Sequence, residues 1–132
     1  MTGMQVLRLD HLVLTVRDME RSIEFYTKVL GMSEVNFGAG RKALLFGQQK
    51  INLHEVGREV EPKASKPTPG SADLCFISTS PMDTILAELR GHAVEIVEGP
   101  VERAGALGPI TSVYFRDPDQ NLIEISNYAP DG

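Results

Sequence analysis

The stretch "DHLVLTVRDMERSIEFYTKVLGM", residues 10–32, sets the pattern by which the rest of the chain is read. Its start alternates, with Leu12, Leu14 and Val16 pointing one way and His11, Val13 and Thr15 the other, as in a strand with one wholly apolar face. At Asp18 the period changes. Ile23, Tyr26, Val29 and Leu30 recur at helical spacing, Asp18 stands at the N-cap position and Gly31 where a helix would stop. An amphipathic helix of about three turns is expected. "KALLFG" (42–47) and "KINLHEV" (50–56) then read as strands, preceded by a weaker candidate, "SEVNF" (33–37).

Past residue 60 the texture changes, because "VEPKASKPTPGSA" (60–72) holds three prolines among small polar residues, the composition of a linker or exposed loop. The opening pattern then returns. "DLCFIS" (73–78) alternates as "HLVLTV" does, with Leu74 and Phe76 on one face and Asp73, Cys75 and Ile77 on the other. "SPMDTILAELRG" (80–91) repeats the helix, with Ser80 expected as N-cap, Pro81 in the first turn, Asp83 completing a capping-box-like pattern and Gly91 ending it. "AVEIVEGP" (93–100), "ITSVYFRD" (110–117) and "NLIEISNY" (121–128) supply three strands, the last two joined by the turn signal "DPDQ" (117–120). The residues near 57–71 and 99–110 are expected to be loops. The order is β-α-β-β-β twice, an internal duplication of α+β class at a period of roughly 60 residues. Residues 6–132 are expected to form one domain of two repeats, about 6–58 and 72–128, joined by a Pro-rich linker at 59–71.

The 132 residues carry a net charge of −5. That balance, with a pI near 5.1, argues against nucleic-acid binding, which calls for a basic patch. The single cysteine, Cys75, gives no intramolecular disulfide framework. No segment approaches the roughly 18 apolar residues of a membrane helix, and the amino terminus has no signal-peptide pattern. The expectation is a soluble, cytoplasmic protein without a membrane partner.

If the apolar strand faces meet the helices, the opposite faces carry His11, Asn52, His54, Asp73, Glu124 and Ser126. Imidazoles, carboxylates and an amide on such faces suit a divalent metal, and a mixed N/O set accepts zinc, nickel, manganese or iron. Each residue also has a plainer reading. His11 can be a hydrogen-bonded strand-start histidine, Glu124 a residue on a wet sheet face, Asp73 a strand-end cap, His54 a surface residue and Asn52 a simple amide hydrogen bonder. Cys75 reads as a small core residue. No Gly-rich phosphate loop follows a strand, and neither Gly-x-Ser-x-Gly nor Cys-x-x-Cys occurs.

At "LDHLVLTVRDMERSIEFYTKVLGM" (9–32) and "VYFRDPDQNLIEIS" (113–126) the sequence resembles the vicinal oxygen chelate superfamily of glyoxalase I, extradiol dioxygenases, fosfomycin-resistance transferases and bleomycin-resistance proteins. "KINLHEVGREVEPKASKPTPGSADLCFIS" (50–78) is similar to the glyoxalase domain-containing protein 5 group. The resemblance implies paired β-α-β-β-β modules forming a cupped mixed or antiparallel sheet, helices on its outer face, around a divalent metal. It often implies a homodimer whose two chains contribute to each cup. By motif position His11 and Glu124 match the ligands of the first and last strands. Asp73 falls where many members place histidine, and Asn52 where glyoxalase I has glutamate, with His54 two residues on and facing the same way. The implied activity is a metal-dependent lyase of glyoxalase type on a small substrate with adjacent oxygens, such as a thiol adduct, with Glu124, His54 and Asp73 as ligands or acid/base groups. Two other readings stay open: a metal-free drug- or metabolite-binding protein, and an extradiol dioxygenase or thiol transferase on the same scaffold.

Overall fold

The computed structural model describes residues 3–129. The chain divides into two compact units that part between Pro67 and Thr68. Unit 1 runs β1 (His11–Val16), α1 (Met19–Lys28), β2 (Ser33–Phe37), β3 (Arg41–Phe46) and β4 (Gln49–Glu55); unit 2 runs β5 (Asp73–Ile77), α2 (Met82–Gly91), β6 (Glu98–Gly105), β7 (Gly108–Arg116) and β8 (Leu122–Tyr128). Each unit holds one four-stranded sheet, ordered β1-β4-β3-β2 and β5-β8-β7-β6. In both, the first strand lies parallel to the last and the remaining pairs are antiparallel. A parallel pair cannot be closed by a tight turn, and here a helix and a hairpin fill the crossover. The α+β class and the doubled element order read from the sequence are those of the structure.

In unit 1 the apolar parity of β1 is kept across the sheet, because Leu12 and Leu14 stand level with Ile51 and Leu53, and Ile51 with Leu44. Val16, Tyr26, Leu44 and Ile51 are fully buried. Each such side chain contributes roughly 1.5–3 kcal/mol relative to exposure. Helix α1 starts where Asp18 accepts a hydrogen bond from the Arg21 amide at 3.1 Å, and the Met19 amide donates to the Glu55 carboxylate at the end of β4 at 3.3 Å. It ends at Lys28, with Val29 as C-cap, ahead of the stop expected at Gly31, whose φ of +69° lets the Met32 amide return to the Tyr26 carbonyl at 3.1 Å. The weak "SEVNF" candidate is a true strand on the sheet edge.

Unit 2 builds its core from Val113 and Phe115 opposite Ile125 and Ile123, with Ile85 and Leu89 of α2 buried. The "DPDQ" turn is a hydrogen-bonded knot. Asp117 Oδ1 accepts from the Asp119 and Asn121 amides at 2.9 Å each, and Asp117 Oδ2 accepts from Asn121 Nδ2 at 2.8 Å. Asn121 Oδ1 in turn accepts from the Ala72 amide at 2.8 Å, which fixes the entry to β5.

Three sequence expectations shift here. Ser80 does not cap α2: Pro81 holds the N-cap position with no side-chain cap bond, and Ser80 spends its amide on the Ser78 hydroxyl. Gly91 lies inside the helix, and the chain turns just after it, with Ala93 at φ 57°. The strand sought in 93–100 starts only at Glu98 and runs on to Gly105, through residues expected to be loop. The reason is tertiary: Gly99, at φ +109°, sits so close to the Ser112 carbonyl that a Cβ would collide with it, so the bulge after Glu98 sets the register of β6 on β7.

Candidate functional site

Strand partners that stand level share a face, so the register of unit 2 puts Cys75, Tyr114 and Glu124 side by side, with Ser112 level with Ser126 one row on. This face lines an open cavity of about 410 Å³, walled by Cys75, Arg103, Ile110, Tyr114, Glu124 and Tyr128 among others. Glu124 is half-buried, and Ser112 Oγ donates to its Oε2 at 2.5 Å. Having spent its one proton there, the Ser112 hydroxyl can only accept from Ser126 Oγ, 2.6 Å away. That leaves Ser126 Oγ as the acceptor for the Cys75 thiol at 3.3 Å. A directed chain of donors thus ends on the carboxylate.

Around that chain the titrating groups are held protonated. Partial burial pushes the Cys75 thiol up, and the charge of Glu124 adds to this. Burial likewise raises the Tyr114 phenol, against a hydrogen bond that Arg103 Nε donates to it at 3.0 Å and with a contribution from Glu124. Arg103 is tied to Glu98 at 3.3 Å, and the Tyr128 hydroxyl accepts from the Leu107 amide at 3.0 Å, so the β6–β7 hairpin is pinned over the cavity.

Unit 1 presents a different face. Lys50, Asn52 and His54 point one way from β4, level with His11, Val13 and Thr15 of β1. Asn52 and His54 are 5% and 6% exposed, and Asn52 Oδ1 and His54 Nε2 have no hydrogen-bond partner among the described residues. Buried polar atoms are nearly always paired, so an unpaired couple on one strand face marks a place where something else supplies the partner. Burial and then the charge of Arg41 hold the His54 imidazole below its ordinary range, against the pull of Glu59, which keeps the ring neutral near pH 7.

The sequence candidates therefore separate. Asn52 and His54 are neighbours on one buried face, and His54, expected as a possible surface residue, is buried. His11 is exposed at the level of Lys50, four residues and roughly 13 Å along the strand from the level of His54, and its Nδ1 lies 2.8 Å from Asp10 Oδ2. Asp73 is exposed on the face of Cys75 and Glu124, one residue row away. Among the described residues no group of three or more His, Cys, Asp or Glu is gathered to hold a metal. By donor type alone, the buried His54 Nε2 of unit 1 and the Glu124 carboxylate of unit 2 are each suited to a divalent cation. Sequence reasoning missed Ser112, Tyr114 and Arg103. Pairing "ITSVYF" against "NLIEIS" across the turn would have found the first two, but Arg103 lay in an expected loop.

A sequence profile of the Glyoxalase/Bleomycin resistance protein/Dioxygenase superfamily matches residues 8–125. Virulence protein STM3117 of Salmonella typhimurium is 61% identical over 122 residues, 92% of this chain and 85% of that protein. Its crystal structure superposes with a TM-score of 0.94 at 60% identity, covering 96% of this chain and all (100%) of that one. Glyoxalase domain-containing protein RDO1 of Mycosarcoma maydis is 58% identical over 125 residues, 95% of this chain and 70% of that protein. A Vibrio cholerae integron cassette protein gives a TM-score of 0.95 at 56% identity, over 97% of this chain and 100% of that one.

Proposed function

The chain belongs to the glyoxalase/bleomycin resistance protein/dioxygenase superfamily, and from that premise we propose that it is a metal-dependent enzyme of glyoxalase type, a lyase acting on a small substrate with neighbouring oxygens. The observation that carries the reading is Glu124, a half-buried carboxylate in the wall of a substrate-sized cavity, held in place by the Ser112 and Ser126 hydroxyls. On this reading Glu124 in unit 2 would be an oxygen donor to a cation and His54 in unit 1 a nitrogen donor, each taken within its own unit, and His11 and Asp73 would be further donors or acid/base groups. A bound divalent ion supplies Lewis-acid polarisation of the two substrate oxygens.

The chain's own groups do the rest. The serine pair keeps Glu124 in one orientation and holds its charge against the cavity. Tyr114, kept protonated by burial, presents its hydroxyl beside that carboxylate as a hydrogen-bond donor to a developing negative oxygen. Asp73, exposed on the same face, accepts the proton that the substrate gives up. The same reading takes the two repeats as one working domain, in a homodimer and in the cytoplasm. Among the described residues no helix is long and apolar enough to cross a membrane.

A metal-free binding protein is the second reading, favoured by Lys50, whose cationic side chain shares the face and the level of His11. The experiment is elemental analysis of wild type, His11→Ala and Glu124→Gln after dialysis and stoichiometric reconstitution. About one ion per chain in wild type, lost in Glu124→Gln, is the expected outcome. Wild type without retained metal overturns the metal-dependent reading and leaves the binding protein.

A further inference from the structure

The face of unit 1 that holds the two orphaned atoms also gathers positive charge. Phe37, Arg41, Ala43 and Asn52 stand on one side of the sheet, since Phe37 is level with Arg41 and Ala43 with Asn52. The Arg41 guanidinium carbon lies 4.6 Å and the Lys50 ammonium 4.2 Å from the centroid of the Phe37 ring. Both side chains belong to half-buried residues, and among the described residues neither forms an ion pair with a carboxylate, in a chain that carries five more negative than positive charges. Asp10 is within electrostatic range of Lys50, but its carboxylate is committed to His11 at 2.8 Å and reaches Arg8 at 3.9 Å.

Two cations converging on one aromatic ring without a counter-ion are held at a cost that an anion would offset. Next to them Asn52 Oδ1 is buried, accepts nothing, and so requires a donor. A bare oxyanion satisfies the cations and leaves Asn52 wanting; an oxyanion with a hydroxyl on the adjacent carbon satisfies both. We propose that this face binds the 2-hydroxy-carboxylate end of a small acid, the carboxylate set between Arg41 and Lys50 and the hydroxyl donating to Asn52 Oδ1. The proposed site lies within unit 1 alone and goes beyond the functional reading above, and the binding itself does not depend on the metal.

The test is an NMR titration of the full chain, at its measured metal content, with glycolate, acetate and inorganic phosphate, each against sodium chloride at matched ionic strength. Expected are saturable shifts at the Asn52 side-chain amide and the Phe37 ring, with glycolate binding several-fold more tightly than acetate or phosphate. Affinity should fall about tenfold or more in Arg41→Gln/Lys50→Met, and Lys50→Arg, whose charge is kept, should retain most of it. Glycolate affinity unchanged in the double variant, or equal responses to all three anions, overturns the proposal. The same titration of wild type after dialysis against a chelator, with the metal content of that sample measured, should give the same glycolate affinity, so loss of metal and loss of anion binding are read separately.

Discussion

The two units share element order, sheet order and strand directions, yet they treat the polar residues on their central strands in opposite ways. On β8 the polar positions Glu124 and Ser126 are closed into a chain of hydrogen bonds with Ser112 and Cys75. On β4 the corresponding face leaves Asn52 Oδ1 and His54 Nε2 buried without a hydrogen-bond partner, beside two cations that form no ion pair with a carboxylate, among the described residues. One topology thus supports a closed network that orients a carboxylate and a face whose buried polar atoms find no partner among the described residues. Satisfied buried networks rigidify a site, whereas unsatisfied groups raise the energy of the empty state and so favour a ligand that pairs them.

The largest test of this contrast is at the core and turn that hold the finished network. Phe115→Ala, at a fully buried position opposite Ile123, should cost about 3–5 kcal/mol, measured by urea unfolding. Asp117→Ala, which frees three donors in a buried turn, should cost roughly 2–4 kcal/mol in the same assay; a cost below 1 would show that the knot at the head of β8 does not hold it.

The second test separates the strands by their polar content. His54 has a lowered folded pKa, so the unfolded chain takes up the proton first. Stability is full above the unfolded value, near 6.5, and falls as pH drops below it. Thermal melts from pH 7.5 to 5.0 should show this loss in wild type and less of it in His54→Gln. Equal slopes would mean that His54 is not held neutral in the fold.

The smallest effect contrasts the helix starts. Asp18→Ala should cost about 1 kcal/mol because its carboxylate caps α1, whereas Ser80→Ala should cost only a few tenths, since α2 has no side-chain cap. Equal costs would place a capping role on Ser80 that its geometry lacks.

Local periodicity was enough to read most of the fold. The alternation of "HLVLTV" and its return in "DLCFIS", the 3.6-residue spacing after Asp18 and the "DPDQ" turn are short-range signals, and each names an element of the structure. The start of β6 was not legible, because it is set by the contact of Gly99 with a carbonyl on β7, a partner distant in the chain. Ser80 misled for a related reason: a residue type suited to capping acts only if its rotamer and the chain entering the helix allow it, and here Pro81 takes the position.

For the site, the sequence by itself determined which residues face away from the helices, because a strand's period of two leaves no choice once the apolar side is known. Glu124, Asn52 and His54 follow from that rule. What they meet there was decided by strand order and register: Ser112 is brought to Glu124 by β7, while nothing in β3 answers Asn52. The convergence of Arg41 and Lys50 on Phe37 joins three strands and has no periodic trace in the chain. Hydrophobic pattern fixes the face of a side chain locally, but the partners on that face come from residues far along the sequence, and only the folded sheet brings them within hydrogen-bond reach.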